Sequence, residues 1–355
     1  MYHFSFEFSI ETKIGISNYT FSANETCDFF DFKTNFQDNR LIATIIPKKQ
    51  FKILSAKTKL SMSCQKNDRI MLNGYQSWTD TRELTLKDRL FGINHIPKKI
   101  AKKYGFENYG DYPFVKYSGE KGELHGFTFG YIRQDNIINF VGSLDESKGY
   151  TILKYSGKNQ LLSIEKDCTG LEISKDFEVF DVAFLSGEYD SVFDKWFKMQ
   201  EKYHNFKKTN AKPMCGYTSW YRHYEDISEE IIKNDLAGML SLPQKIDIFQ
   251  IDDGYETAVG DWLSIDEKKF PNGIKTVCDE IHNQNILAGL WLAPCICETK
   301  SEIYKNHKDW LRKDENGNFV KCGSNWSGFY ALDLYNSEVI AYLEKVFDTV
   351  LNQWG

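Results

Sequence analysis

The sequence contains no apolar run long enough to span a membrane. Its first residues, Met1-Tyr2-His3-Phe4-Ser5-Phe6-Glu7-Phe8, lack the basic start and apolar block of a secretory leader. It also lacks a basic face: Lys+Arg 44 against Asp+Glu 50 gives a formal charge of -6 with the signs interspersed, which argues against a nucleic-acid partner. Eight cysteines fall at irregular intervals, and the one close pair, Cys295 and Cys297, is not Cys-x-x-Cys, so the spacing of a zinc site or a redox couple is missing. Reduced, mostly buried thiols in a cytoplasmic protein are the reading that remains. Gly-x-Ser-x-Gly and His-x-x-x-His are absent, and the Gly- and Ser-rich stretch 321–328 lacks the pattern of a phosphate-binding loop. Nucleophilic serine and catalytic zinc therefore have no support, and no cofactor is implied. No internal repeat or low-complexity segment stands out.

What is present falls into two rhythms. Residues 1–188 alternate apolar and polar residues in short runs (Phe4 to Ile10, Arg40 to Ile46, Phe51 to Met62, Gly126 to Gln134, Ile137 to Leu144, Glu178 to Leu185) separated by Gly, Asn and Asp clusters. Many short strands at that pace predict a β-sandwich. Residues 189–212 read as a helical linker: Val192, Phe193, Trp196, Phe197, Met199 and Tyr203 recur near helical spacing, and the polar stretch from Lys207 to Pro213 follows.

Residues 213–355 alternate strand and helix. Met214 to Trp220, Ile246 to Ile251 and Asn285 to Ala293 read as strands. Ser228 to Leu240 (Ser228 as N-cap), Gly273 to Asn283, Ser301 to Leu311 and Ser337 to Trp354 read as helices. That order predicts βα units of a parallel sheet or (β/α)8 barrel. Three such units do not close a barrel, so the chain is expected to be a fragment that stops at Gly355 before a fourth strand.

The strand Ile246 to Ile251 ends in Asp252-Asp253-Gly254. Two acids at the carboxyl end of a buried strand are costly to desolvate unless they are used, and in α/β folds ligands bind at that end. The alternative, that they cap the next helix or pair with a neighbouring loop, stays open on this stretch alone. Trp78, Trp220, Trp262 and Trp291 lie at proposed loops and strand ends. Each alone is better explained as core, but together with the two acids they offer what a pyranose needs: carboxylate acceptors for its hydroxyls and a flat apolar face. His223 reads as a surface residue, and Arg222, Lys268 and Lys269 as solvated. A metal enzyme with Asp252 and Asp253 as ligands lacks a nearby histidine to complete the site.

The stretches Asn73-Gly74-Tyr75-Gln76-Ser77-Trp78, Leu124-His125-Gly126-Phe127-Thr128-Phe129-Gly130-Tyr131, Gly216-Tyr217-Thr218-Ser219-Trp220-Tyr221, Gln250-Ile251-Asp252-Asp253-Gly254-Tyr255, Gly260-Asp261-Trp262 with Lys269-Phe270-Pro271-Asn272-Gly273, Gly289-Leu290-Trp291-Leu292-Ala293-Pro294 and Leu332-Asp333-Leu334 occur in this order. In them the chain resembles the α-galactosidases of glycoside hydrolase family 36, the melibiases. The resemblance implies a β-sandwich, a (β/α)8 catalytic barrel and a further β domain, with a galactoside substrate and a homo-oligomer, often a tetramer. It implies release of terminal α-D-galactose from melibiose- or raffinose-type galactosides by retaining double displacement. Asp252 and Asp253 would accept hydrogen bonds from the hydroxyls on C4 and C6 of galactose. Trp220, Tyr221 and Trp291 would line the pocket, Trp78 would reach its mouth, and Asp261 and Trp262 would shape its wall. The family's nucleophile, an aspartate in Lys-x-Asp on the fourth barrel strand, and its acid/base are expected beyond Gly355, so this chain is expected to be inactive alone. A galactosyltransferase of raffinose-synthase type, an α-N-acetylgalactosaminidase and a non-catalytic sugar-binding remnant are the alternatives.

Overall fold

A computed structural model describes residues 3–76, 79–106, 110–112, 114–204 and 212–355. The backbone separates into two compact units, Met1–Pro97 with Gly110–Lys208, and Lys98–Tyr109 with Thr209–Gly355.

The first unit is two antiparallel sheets face to face. One runs in the order Gly15–Phe21, Ser5–Thr12, Phe51–Ser61, Leu161–Lys166, Thr151–Ser156, Glu123–Phe127, with Leu171–Ile173 also on Phe51–Ser61. The other runs Glu25–Thr26, Phe30–Gln37, Arg40–Pro47, Phe177–Glu188, Ile137–Ser143, Phe129–Gln134, Arg69–Leu72. Period-two patterning sets the faces: Phe6, Phe8 and Ile10 are buried, while Glu7 and Ser9 between them are only partly so. Rings from the two sheets meet edge to face, Phe6 and Phe8 each 4.9 Å from Phe32. Asp38 and Asn39, both at positive φ (52° and 61°), make the two-residue turn that sets Gln37 opposite Arg40.

The helix expected in the linker forms, as Tyr189–Tyr203, but it belongs to the first unit. Val192 and Trp196 bury themselves against Phe140 and Leu185 on the outer face of the second sheet, and Trp196 Nε1 donates to the Ser143 carbonyl at 3.0 Å. The apolar stripe that marks a helix is what docks it. Most of the stretch from Lys207 to Pro213 lies outside the described residues. The region read as all β also holds a helix, Lys98–Tyr104, whose lysine-rich sequence carries one buried side chain, Ala101, and so little periodic signal.

The second unit carries a parallel sheet, Gly216–Thr218, Ile248–Ile251, Leu287–Leu290, in that order. Ser228 Oγ accepts from Ile231 N at the start of helix Glu229–Leu240, with Glu229 and Glu230 in its first turn. That helix contributes Ile232 and Leu236, and helix Gly273–His282 contributes Ile274, Val277 and Ile281, to a core with Phe249 and Ile251.

Beyond the third strand the structure departs from expectation. The helix read over Ser301 to Leu311 is the single turn Glu302–Asn306, broken at His307 and followed by a 3-10 turn, Lys308–Trp310. Between these elements lies a small antiparallel sheet with Phe329–Ala331 in the middle, Ile296–Glu298 and Lys321–Gly323 on either side. Strands of three residues are too short to show alternation. Helix Ser337–Asp348 continues as a π-helical turn, Thr349–Trp354; Val339, Leu343 and Val346 of its apolar stripe are buried, while Ile340, Phe347 and Leu351 are exposed. No described helix is long and apolar enough to cross a membrane. All eight cysteines are free thiols, four of them buried: Cys64, Cys168, Cys278 and Cys297.

Candidate functional site

The carboxyl ends of the three parallel strands bring together Thr218 with Ser219, Asp252 with Asp253, and Trp291. Asp252 is built into the strand ends. Its Oδ2 accepts from Thr218 Oγ1 at 2.8 Å and from Gln250 Nε2 at 2.7 Å, and its Oδ1 from the Asp253 amide at 3.0 Å. The Asp252 amide donates to Ser219 Oγ at 2.9 Å, so both its backbone and its side chain are tied to the first strand.

Asp253 is 3% exposed, and Oδ2 accepts from Trp326 Nε1 at 2.8 Å. Burial pushes its carboxyl above the ordinary aspartate range; the bonds from Glu256 and Trp326 pull it back, and the charges of Asp252 and Glu298 add to the rise. Glu256, bonded to Asp253, is pushed up to about 8, first by burial and then by the Asp253 charge. Glu298 is likewise buried, but its oxygens are occupied by Ser327 Oγ at 2.6 Å, Ser327 N at 3.0 Å and Val259 N at 3.1 Å.

Gly254 holds the turn after the acids at φ +112°, where a Cβ would lie 2.4 Å from the Glu225 carbonyl oxygen. Lys269 Nζ donates to the carbonyls of both Glu225 and Gly254 at 2.9 Å, joining the loop after the first strand to the loop after the second.

Of the aromatic candidates, Trp291 and Trp220 are half-buried and Tyr221 is 86% exposed. Trp291 lies 5.7 Å from Trp262 and 6.2 Å from Trp326, ring centre to ring centre. Trp262 is fully enclosed and packs behind Trp291, so its indole presents no exposed face. Asp261 accepts from the amides of Glu302 and Ile303 and caps that short helix. Trp78 lies outside the described residues.

Arg222 and His223 are neither free nor merely solvated. Both bond the buried Asp235, at 2.8 and 2.7 Å, together with the Tyr217 hydroxyl. Glu256 is a site residue that sequence reasoning did not name, and Trp326 entered it only as part of a Gly- and Ser-rich loop able to border a pocket. Trp326 sits in the Gly- and Ser-rich stretch 321–328 and carries the same signal as the other tryptophans, an indole in a loop. Glu256 carries none beyond its place three residues after Asp253. Among the described residues no group of three or more His, Cys, Asp and Glu is arranged to hold a metal ion.

In the first unit, a cavity of about 610 Å³ is lined by Gly74 and His125, from two of the matched stretches, and by Arg82, Arg89, Asp111 and Tyr112. There Asp111 accepts from the Tyr117 hydroxyl at 2.6 Å and pairs with His125 Nε2 at 2.9 Å.

Fold and site together define a chain of sandwich-plus-βα-barrel class with its polar centre at the carboxyl ends of parallel strands. Residues 185–355, just under half of the chain, match the family model described as Melibiase. It is 34% identical over 113 residues to alpha-galactosidase Mel36A of Lactobacillus acidophilus, covering 29% of this chain and 15% of that protein. It is 23% identical over 248 residues to alpha-galactosidase AgaA of Geobacillus stearothermophilus, covering 65% of this chain and 31% of that protein. The solved structure of TtGalA, an alpha-galactosidase from Thermus thermophilus in complex with p-nitrophenyl alpha-D-galactopyranoside, shares the fold over 91% of this chain and 62% of that one (TM-score 0.67, 21% identity). The aligned part is thus less than two thirds of each relative's length.

Proposed function

We propose that the site holds the galactosyl unit of an α-galactoside, and that the protein acts in the hydrolysis of terminal α-D-galactose residues by a retaining double displacement. The observation that carries this reading is the pairing of buried carboxylates with half-buried indoles at the carboxyl ends of the strands. Asp253 supplies a charged acceptor for sugar hydroxyls, and Trp291 and Trp220 supply faces for the ring's C–H groups. The relatives named alpha-galactosidases support the choice of sugar.

Asp252 and Asp253 hold substrate and do not cut the bond. A retaining enzyme needs one carboxylate free to attack the anomeric carbon and a second to protonate the leaving group. Asp252 has donors on both oxygens, and Asp253 is bonded to Trp326 and Glu256. Calorimetry of galactose with the chain of residues 1–355 tests the reading. Binding in the wild type and its loss in Asp253→Ala are expected; undiminished affinity in the variant overturns the assignment. An α-D-galactosamine-type substrate is the second reading. It is favoured by 32% identity over 130 residues to the A type blood alpha-D-galactosamine galactosaminidase of Flavonifractor plautii. Preferential binding of galactosamine over galactose would decide for it.

A further inference from the structure

Glu256 is 7% exposed, and its two carboxyl oxygens are unequally served. Oε2 accepts a long bond from the Gly254 amide at 3.3 Å, while Oε1, fully buried, receives no donor. The side chain it bonds is the carboxyl of Asp253. Two carboxyl groups facing each other in a buried site repel if both are ionised, and form a short, strong O–H···O⁻ bond if one proton lies between them.

The surroundings decide which group holds the proton. Asp253 already accepts from Trp326 Nε1 at 2.8 Å, a bond that favours its ionised form, whereas Glu256 has only the distant Gly254 amide and its own backbone amide among the described residues. The charged and titratable groups around the pair are mostly acidic. Asp252 and Glu298 act on Asp253, Glu225 lies within its field, and the Tyr255 phenol lies beside Glu256. The neighbouring Lys269 is committed to the carbonyls of Glu225 and Gly254. Among the described residues no side-chain donor meets a second negative charge at Glu256 Oε1.

We propose that Glu256 is a positioning residue: its carboxyl carries a proton shared with Asp253, which keeps Asp253 as a single, fixed, ionised acceptor for a sugar hydroxyl. The first half of this proposal stands on the protein alone, and the second rests on the galactose reading of the site. Burial, followed by the Asp253 charge, pushes the Glu256 carboxyl up to about 8, which places loss of the shared proton above neutral pH. Below that pH the pair carries one charge. Above it the pair carries two, and the arrangement around Trp326 is no longer favoured. The two ionisations belong to the pair as a whole.

Two measurements on the full chain test this. In carboxyl ¹³C spectra of glutamate-labelled protein, one glutamate is expected to be protonated at neutral pH and to titrate at about pH 8, and to be missing from Glu256→Gln. In galactose calorimetry, wild-type affinity is expected to fall about tenfold per pH unit once the proton is lost. Glu256→Gln, a permanent neutral donor, is expected to keep wild-type affinity within about threefold and to show no alkaline loss. Glu256→Ala is expected to bind about tenfold more weakly at neutral pH, because Asp253 loses a donor. A fully ionised set of glutamates at neutral pH, or an alkaline loss that persists in Glu256→Gln, overturns the proposal. The protonated glutamate signal with no galactose binding at any pH confirms the shared proton and removes the galactose reading.

Discussion

Asp253 sits between an indole N–H on one side and a protonated carboxyl on the other, and its usefulness as an acceptor depends on both. Trp326→Phe removes the bond at 2.8 Å and keeps most of the ring. A hydrogen bond to a charged group contributes roughly 1.5–3 kcal/mol, so galactose affinity is expected to drop about tenfold or more in that variant. An unchanged dissociation constant would mean that Trp326 only packs. The Glu256 carboxyl also ties stability to pH. Unfolded, it ionises at the ordinary glutamate value of 4.5; folded, at about 8. Between those values the folded chain holds a proton that the unfolded chain has released, so this group makes stability fall as pH rises through the window and flatten above it. Melting temperatures of wild type and Glu256→Gln are therefore expected to converge in acid and to diverge in the variant's favour as pH rises; parallel curves would refute the shift. Two adjacent acids after an apolar run were readable from the sequence because burial there demands a use. The bond from Trp326 was not, since folding alone brings together residues 73 positions apart.

At the scale of elements, the helix Tyr189–Tyr203 shows what a periodic stripe does and does not tell. Its existence follows from the spacing of Val192, Trp196 and Tyr203, but which sheet it covers depends on Phe129, Phe140 and Leu185, residues whose own alternation says only that one face is apolar. Trp196→Ala empties the centre of that contact and is expected to destabilise the first unit by about 3–5 kcal/mol in denaturant unfolding. A cost below about 1 kcal/mol would return the helix to the status of a linker. Ser228 illustrates the opposite case, a capping residue legible from sequence because its partner, the Ile231 amide, is three residues away. Ser228→Ala is expected to cost about 1 kcal/mol. The three-residue strands Ile296–Glu298, Lys321–Gly323 and Phe329–Ala331 gave no sign in advance, being shorter than one full alternation on each face.

At the scale of the molecule, each unit has its own core. Phe6, Phe8, Phe32 and Phe180 belong to one, and Phe249, Ile251, Val277 and Ile281 to the other. Residues 3–204 expressed alone are expected to melt as one cooperative transition with the near-ultraviolet signature of packed aromatics; a gradual, signal-poor melt would show that the sandwich needs more than its own core. The broad division into β first and βα second was legible because period two and period 3.6 are different rhythms. In the second unit, Gly254 and Lys269 fasten the loops after the first and second strands through main-chain atoms, with no room for a Cβ between them. The spacing of those loops is thus set by main-chain atoms and one lysine, and the side chains carried on them, Trp220 and the outward Tyr221 among them, can be exchanged one at a time. A site framed this way can change what it presents without changing its spacing, which would make its selectivity a property of individual residues on a fixed frame.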